Sequence, residues 1–209
     1  MCGINSIDDI EFIHIPKNGG TTIQTHLSTV DPTRFSVIRR HATAQQIRAK
    51  DTIAYDRRFS FAIVRNPYQR CISIWQYSLK RKLSTLKRSN GFVADEQEKN
   101  LWKTYHNFNI WFEDHFFQFE WDFAYMTLPQ WHWISNGDSI QMVNRIWRLE
   151  DLGDCVGFLN EKLGQNFDTS LIENAAIKSY SYRDITTEKT KQAMIELCKL
   201  DCKEFGYEW

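Results

Sequence analysis

The sequence has no run that approaches the ~20 consecutive apolar residues a membrane-spanning helix needs, so no helical span is expected within its 209 residues. It has no net charge either. The 26 Lys and Arg balance the 26 Asp and Glu, so nothing draws the whole chain to nucleic acid or to an anionic membrane. Any anion site must be built locally. The first ten residues carry Asp8 and Asp9 but neither a basic flank nor an apolar stretch, unlike a secretory signal. The expectation is a cytoplasmic protein that starts at Met1. Cysteine is sparse and odd in number, at positions Cys2, Cys71, Cys155, Cys198 and Cys202. An odd count without a secretory signal favours free thiols in a reducing compartment. Cys198 and Cys202 can share a helix face, but no further ligands cluster there for zinc. With no internal repeat and no low-complexity linker, the length points to one domain over residues 1–209 with a sizeable core.

What is present alternates between strand and helix signals. Residues 11–15 (EFIHI) read as a short strand, 16–20 as a tight loop and 21–29 as a helix. Residues 36–40 (SVIRR) read as a second strand and 43–50 as a helix. The strongest strand signal is 59–65 (FSFAIVR), an apolar run suited to a buried parallel sheet. Asn66-Pro67 then suits a helix start, with Asn66 as cap, and that helix is expected to run to about Lys82. Residues 84–99 are polar and read as loop, and 101–117 as a helix rich in aromatics. Residues 145–149 (RIWRL) read as a strand and 151–163 as a helix ended by Gly164. A last helix starts near Thr186 or Thr187, with Met194, Leu197, Cys198, Cys202 and Phe205 as its apolar stripe. The predicted fold class is α/β: a single P-loop-like domain with a central, mostly parallel sheet flanked by helices. In such sheets ligands sit beyond the carboxyl ends of the strands.

Two motifs lie at such ends. The first is Pro16-Lys17-Asn18-Gly19-Gly20-Thr21-Thr22, directly after the first strand. Gly19 and Gly20 let the backbone approach an anion closely. The amides from Gly20 to Thr22 open a helix, where N–H groups and the macrodipole favour negative charge. The two threonine hydroxyls add donors and Lys17 adds a mobile cation. The nucleotide triphosphatase loop places its lysine after the glycines; here the lysine comes first. The second motif is Arg65 at the end of strand FSFAIVR, with Ser73 eight residues on. Arg65 suits bidentate contact to a phosphate, and Asn66, Arg70, Ser73 and Tyr77 fall near one helix face. Taken alone, Arg65 could equally cap a sheet edge and Ser73 be a solvated helix residue. Together, the two motifs suggest a ligand with two separated anionic groups.

These strings resemble the sulfotransferase superfamily, and most closely its carbohydrate branch, which includes heparan sulfate 2-O- and chondroitin-type enzymes. HIPKNGGTT (14–22) is similar to that family's 5′-phosphosulfate loop, and VRNPYQRCISIW (64–75) to its 3′-phosphate motif. His41-Ala42-Thr43-Ala44, Pro129-Gln130, Arg148-Leu149-Glu150-Asp151-Leu152 and DCKEFGY (201–207) extend the likeness over most of the chain. The Golgi members have a membrane anchor and a long stem, and neither is expected here. A soluble cytosolic enzyme is the expectation, which speaks against a Golgi location and a polymeric glycosaminoglycan substrate.

The resemblance implies a donor, 3′-phosphoadenosine 5′-phosphosulfate (PAPS), and a small-molecule or glycan hydroxyl acceptor. It implies that Lys17, Asn18, Gly19, Gly20, Thr21 and Thr22 hold the 5′-phosphosulfate, and that Arg65 and Ser73 hold the 3′-phosphate. No metal is implied, because cationic and amide donors take the leaving-group charge. Lys17 is the candidate for stabilising the bridging oxygen. His41 matches the histidine base of the carbohydrate branch, with Glu150 as the alternative base and His14 read as structural. Tyr180, Tyr182 and Arg183 lie in a polar stretch that in the family closes over the nucleotide, which implies Arg183 on the 3′-phosphate and a tyrosine such as Tyr182 on adenine; read alone, the stretch is a surface loop. Lys80, Arg81, Lys82, Lys87 and Arg88 form a basic cluster that reads as a solvated helix end or as an attractor for an acidic acceptor. Trp111, Trp121, Trp131 and Trp133 read as core, or as stacking surfaces for a sugar. Two rivals remain: a P-loop kinase or triphosphatase, and a nucleotide-binding module without catalysis.

Overall fold

In the computed structural model, the apolar run at Phe59–Val64 forms the central strand β2, paired on both sides in parallel with β1 (Ile10–Ile13) and β3 (Arg145–Arg148). The structure describes residues 4, 6–35, 41–88, 100, 103–116, 124–137, 139–167 and 180–209. The strand expected over residues 36–40 lies outside them. From Ser60 to Val64 every β2 residue is buried, whereas β3 buries only Trp147. A strand covered on both faces requires such an unbroken apolar run. The register places Ile13 beside Ala62 and Val64 beside Arg148, so the three strands end together at one edge of the sheet. The fold class is α/β, as the sequence pattern indicates.

The chain divides into two compact units: Met1–Asn66 with Pro129–Ala175, and Pro67–Leu128 with Ala176–Trp209. The first holds the sheet and the helices α1 (Gly20–Val30), α2 (Ala44–Lys50), α3 (Thr52–Arg57), α6 (Gln130–Ile134) and α7 (Leu152–Leu163). Its core is Ile10, Phe12, Ile23, Leu27, Phe61, Ile63, Trp147 and the buried face of α7. That face is Leu152, Cys155, Val156 and Leu159, and Gly164 ends the helix at φ 60°, as its spacing suggests. Thr43 caps α2 reciprocally with Gln46. The short α3 was not foreseen. Its start is set by Asp51, which ends α2 and accepts from the Ala54 amide at 2.9 Å.

The second unit holds α4 (Pro67–Arg88), α5 (Phe108–His115), α8 (Tyr182–Ile185) and α9 (Glu188–Phe205). Here α4 continues six residues beyond the predicted Lys82, through part of the segment read as loop. The aromatic stretch is helical at residues 100, 103 and 104, breaks at 105–107 and resumes at Phe108, where the Asn107 side chain accepts from the Asn109 and Ile110 amides and fixes the N-terminus of α5. Thr187 caps α9, whose buried residues include Met194, Cys198 and Phe205. Ile72, Trp75, Phe108, Trp111 and Phe112 complete a separate core. Arg70 is buried in it and donates to the carbonyls of Met126 (2.8 Å) and Leu128 (2.9 Å). Burial lowers its pKa, and buried Asp201 opposes that shift. Cys71, Cys155, Cys198 and Cys202 are free thiols, and burial pushes Cys155 up to about 12. Among the described residues no helix is long and apolar enough to cross a membrane.

At the start of β1, Glu11 accepts from Arg58 at 3.0 Å and from Arg34 at 3.4 Å, while Arg34 also donates to the carbonyls of Ile7 and Ile10. The Glu11 and Arg34 side chains are only 14% and 12% exposed, so removing the carboxylate leaves two cations facing each other at a partly dry site. Glu11→Ala is expected to lower stability by about 1–3 kcal/mol, read as a lower urea midpoint at an unchanged slope.

Candidate active site

The segment after β1 turns at Pro16–Gly19 before α1 begins. Lys17 and Gly19 both take left-handed backbone, at φ 70° and 71°. For a lysine that conformation costs roughly 1–3 kcal/mol and persists only where the surroundings impose it. No side chain caps α1 at Gly19, and no acidic residue stands in its first turn. The N-terminal amides of Gly20 and Thr21 therefore open toward the loop without a competing carboxylate. Thr22 differs from expectation, since its amide bonds back to the Gly19 carbonyl at 3.1 Å and its side chain is buried. Thr21 is half-buried.

Packing explains both glycines. A Cβ on Gly19 would lie 2.5 Å from a terminal methyl of Leu149. One on Gly20 would lie 2.3 Å from Cδ2 of His14. The His14 ring is pinned: Gln24 donates through Nε2 to the Phe35 carbonyl at 3.1 Å, so its Oε1 faces His14 Nδ1 at 2.6 Å and that nitrogen must donate. His14 is thus held in place, just past the end of β1 and not inside the strand where the sequence pattern put it.

At the end of β2, the Arg65 guanidinium reaches the Lys17 carbonyl at 3.4 Å. The loop that carries Lys17 and the strand end that carries Arg65, which sequence reasoning treated as separate cradles, meet through this backbone carbonyl at the carboxyl edge of one sheet. Between them lies a residue that carried no prediction of its own. Gln130, fully buried on α6, accepts from the Arg65 amide at 2.8 Å and donates to the Arg65 carbonyl at 2.9 Å. The same Oε1 accepts from Asn18 Nδ2 at 2.6 Å, and Asn18 also donates to the Ile63 carbonyl at 2.9 Å. Asn18 is 1% exposed, and among the described residues its Oδ1 has no partner. The only sequence signal was the Pro129-Gln130 pair, which carries neither charge nor characteristic spacing.

His41 stands on the same side. Its Nδ1 lies 3.2 Å from the His14 carbonyl. A carbonyl only accepts, so Nδ1 carries the proton and Nε2 holds the lone pair of the neutral ring. Its ring sits 4.8 Å from that of His14 and edge-on to Trp133 at 6.2 Å. Glu150, just past β3, accepts the Asn66 amide at 2.8 Å; that is a structural use of one carboxylate oxygen.

Ser73, Tyr182 and Arg183 belong to the second unit. Ser73 is half-buried on α4. Tyr182 is 4% exposed, its ring 5.2 Å from Tyr68 and 4.9 Å from Trp209, so it packs the core. Arg183 is exposed and lies 4.6 Å over the Tyr182 ring. Of the basic cluster, Lys80 and Arg81 are exposed, and the side chains of Lys82, Lys87 and Arg88 lie outside the described set. Trp111, Trp131 and Trp133 are buried, and Trp121 is not among the described residues.

Gly20→Ala must push against an anchored ring, an overpacking cost of about 1–3 kcal/mol. The expected result is a lower melting temperature that His14→Ala, added to it, partly restores. A Gly20→Ala protein that melts like wild type contradicts this packing.

The sequence of residues 4–208 matches the profile of the sulfotransferase family. No curated protein and no solved structure matches the chain. The match spans nearly the whole chain and takes in the loop at Lys17, the strand end at Arg65 and the turn at Glu150: the chain belongs to the sulfotransferase family.

Proposed function

We propose that the protein moves the sulfuryl group of PAPS onto a hydroxyl acceptor, a carbohydrate being the class the resemblance favours. The observation that carries this reading is the apposition of Lys17 and Arg65 beside an uncapped helix N-terminus. It offers a cationic, donor-rich edge to a charged nucleotide in a chain whose net charge is zero. In this reading the amides of Gly20 and Thr21, with the Thr21 hydroxyl, hold the 5′-phosphosulfate. Arg65 takes the 3′-phosphate, and the resemblance adds Ser73 and Arg183 to that role. The free thiols suit a reducing compartment such as the cytoplasm.

The acceptor oxygen attacks sulfur in line as the bond from sulfur to the bridging oxygen breaks, and 3′-phosphoadenosine 5′-phosphate leaves. Positioning and charge stabilisation supply most of the catalysis, as in phosphoryl transfer. Lys17 faces the charge that develops on the bridging oxygen. His41 Nε2 takes the hydroxyl proton, its tautomer fixed by the His14 carbonyl. Glu150 is the weaker candidate base because one oxygen already holds the Asn66 amide.

Thermal shift is the first test. 3′-Phosphoadenosine 5′-phosphate is expected to raise the melting temperature, and stabilisation by ATP–magnesium alone rejects the reading in favour of a kinase. In a labelled-donor assay Lys17→Ala is expected to lower kcat ~100-fold. His41→Gln should lower it by about 100-fold or more and remove the loss of rate that wild type shows at acid pH, where a protonated imidazole accepts no proton. Near-normal turnover in either variant removes that residue from its role.

A further inference from the structure

Three hydrogen bonds of the buried Gln130 carboxamide go to residues at or beside the proposed anion site. Two pair it with the backbone N–H and C=O of Arg65, as a further strand residue would. The third ties it to Asn18, the residue after Lys17. We propose that Gln130 is a positioning residue for sulfuryl transfer, whose carboxamide fixes the register between Lys17 on the phosphate loop and Arg65 at the end of β2. The proposal rests on the sulfotransferase reading above.

The chemistry of the side chain is specific. The site needs one donor and one oxygen that accepts twice. Glutamate has no donor, leucine has neither group, and asparagine is a methylene too short for the same reach. The loop also needs an outside constraint. Lys17 sits in left-handed backbone that a lysine does not choose for itself, and Asn18 beside it is anchored by Gln130 and by the Ile63 carbonyl. Arg65 closes the circuit by donating to the Lys17 carbonyl. Loop, strand end and carboxamide thus form one ring of hydrogen bonds. One helical turn beyond Gln130, Trp133 packs edge-on against His41, so the five-residue α6 also steadies the proposed base. A displacement of about 1 Å at a reacting group can cost ~100-fold in rate, which gives such a splint its leverage.

The test is a double-mutant cycle. Gln130→Leu and Asn18→Ala are each made alone and together with Lys17→Ala, and kcat is read at saturating PAPS on folded protein, with the melting temperature alongside. If Gln130 acts by placing Lys17, Gln130→Leu lowers kcat by about 10–100-fold in the wild-type background and by no more than about threefold once Lys17 is alanine. Asn18→Ala follows the same pattern with a smaller loss. Equal fold-losses in both backgrounds overturn the proposal, as does a Gln130→Leu protein that turns over normally and merely melts earlier. Should Gln130→Leu fail to fold, Asn18→Ala decides, since it leaves the Gln130–Arg65 pair in place: full activity there overturns the proposal, and a loss masked by Lys17→Ala supports it. A wild-type protein that neither binds 3′-phosphoadenosine 5′-phosphate nor transfers sulfate removes the underlying reading, an outcome distinct from additive losses in an active enzyme.

Discussion

At the carboxyl edge of the sheet, the fully buried Gln130 side chain satisfies three polar groups at once: the partly buried N–H and C=O of Arg65 and the buried amide of Asn18. A polar group left without a partner in such a place costs about 1–3 kcal/mol, so the arrangement is close to all-or-none. Either the loop, the strand end and α6 hold together, or several backbone and amide groups lose their partners together. Because Lys17 and Arg65 belong to the segments joined this way, the placement of charge is inherited from hydrogen bonding between neutral amides.

The same economy shows in the glycines. Gly19 is required by its left-handed backbone, and Gly20 by the His14 ring behind it. That ring is held in turn by Gln24 and the Phe35 carbonyl. The loop is shaped from behind by a histidine and from the side by a carboxamide. His14 also supplies the carbonyl that sets the tautomer of His41. One residue at the end of β1 thereby conditions both the anion loop and the proposed base through two different atoms, and no titration of its own is needed.

The two compact units have separate cores, one aromatic and helical, the other built on the sheet. The chain leaves the first unit at Asn66, directly after Arg65, and returns at Pro129, directly before Gln130. The hydrogen bonds between Arg65 and Gln130 therefore close the long excursion into the second unit at its base. Closure of a loop of that length costs only slowly increasing entropy, so a few well-buried bonds suffice to define its ends. Arg70, buried early in the second unit and bonded to the carbonyls of Met126 and Leu128, draws the outgoing and returning ends of the excursion together within that unit.

Much of this was legible in the residues. The alternation of apolar runs and amphipathic stretches determined an α/β fold, because a doubly covered strand and a half-covered helix need different periodicities. The lysine before paired glycines and the arginine at a strand end pointed to a candidate anion site, because a left-handed glycine turn into a helix and a strand-end guanidinium both suit phosphate-like groups. Helix ends were read correctly where a cap was local, as at Thr43, Thr187 and Gly164. The reach of α4 and the break before α5 were not, since a polar segment can continue a helix and one asparagine can divide an aromatic one. What only the tertiary structure decided was the partnership of distant residues. Gln130 lies 65 positions from Arg65 and 112 from Asn18, and a neutral carboxamide advertises nothing until folding removes water and leaves it as the one group able to answer all three.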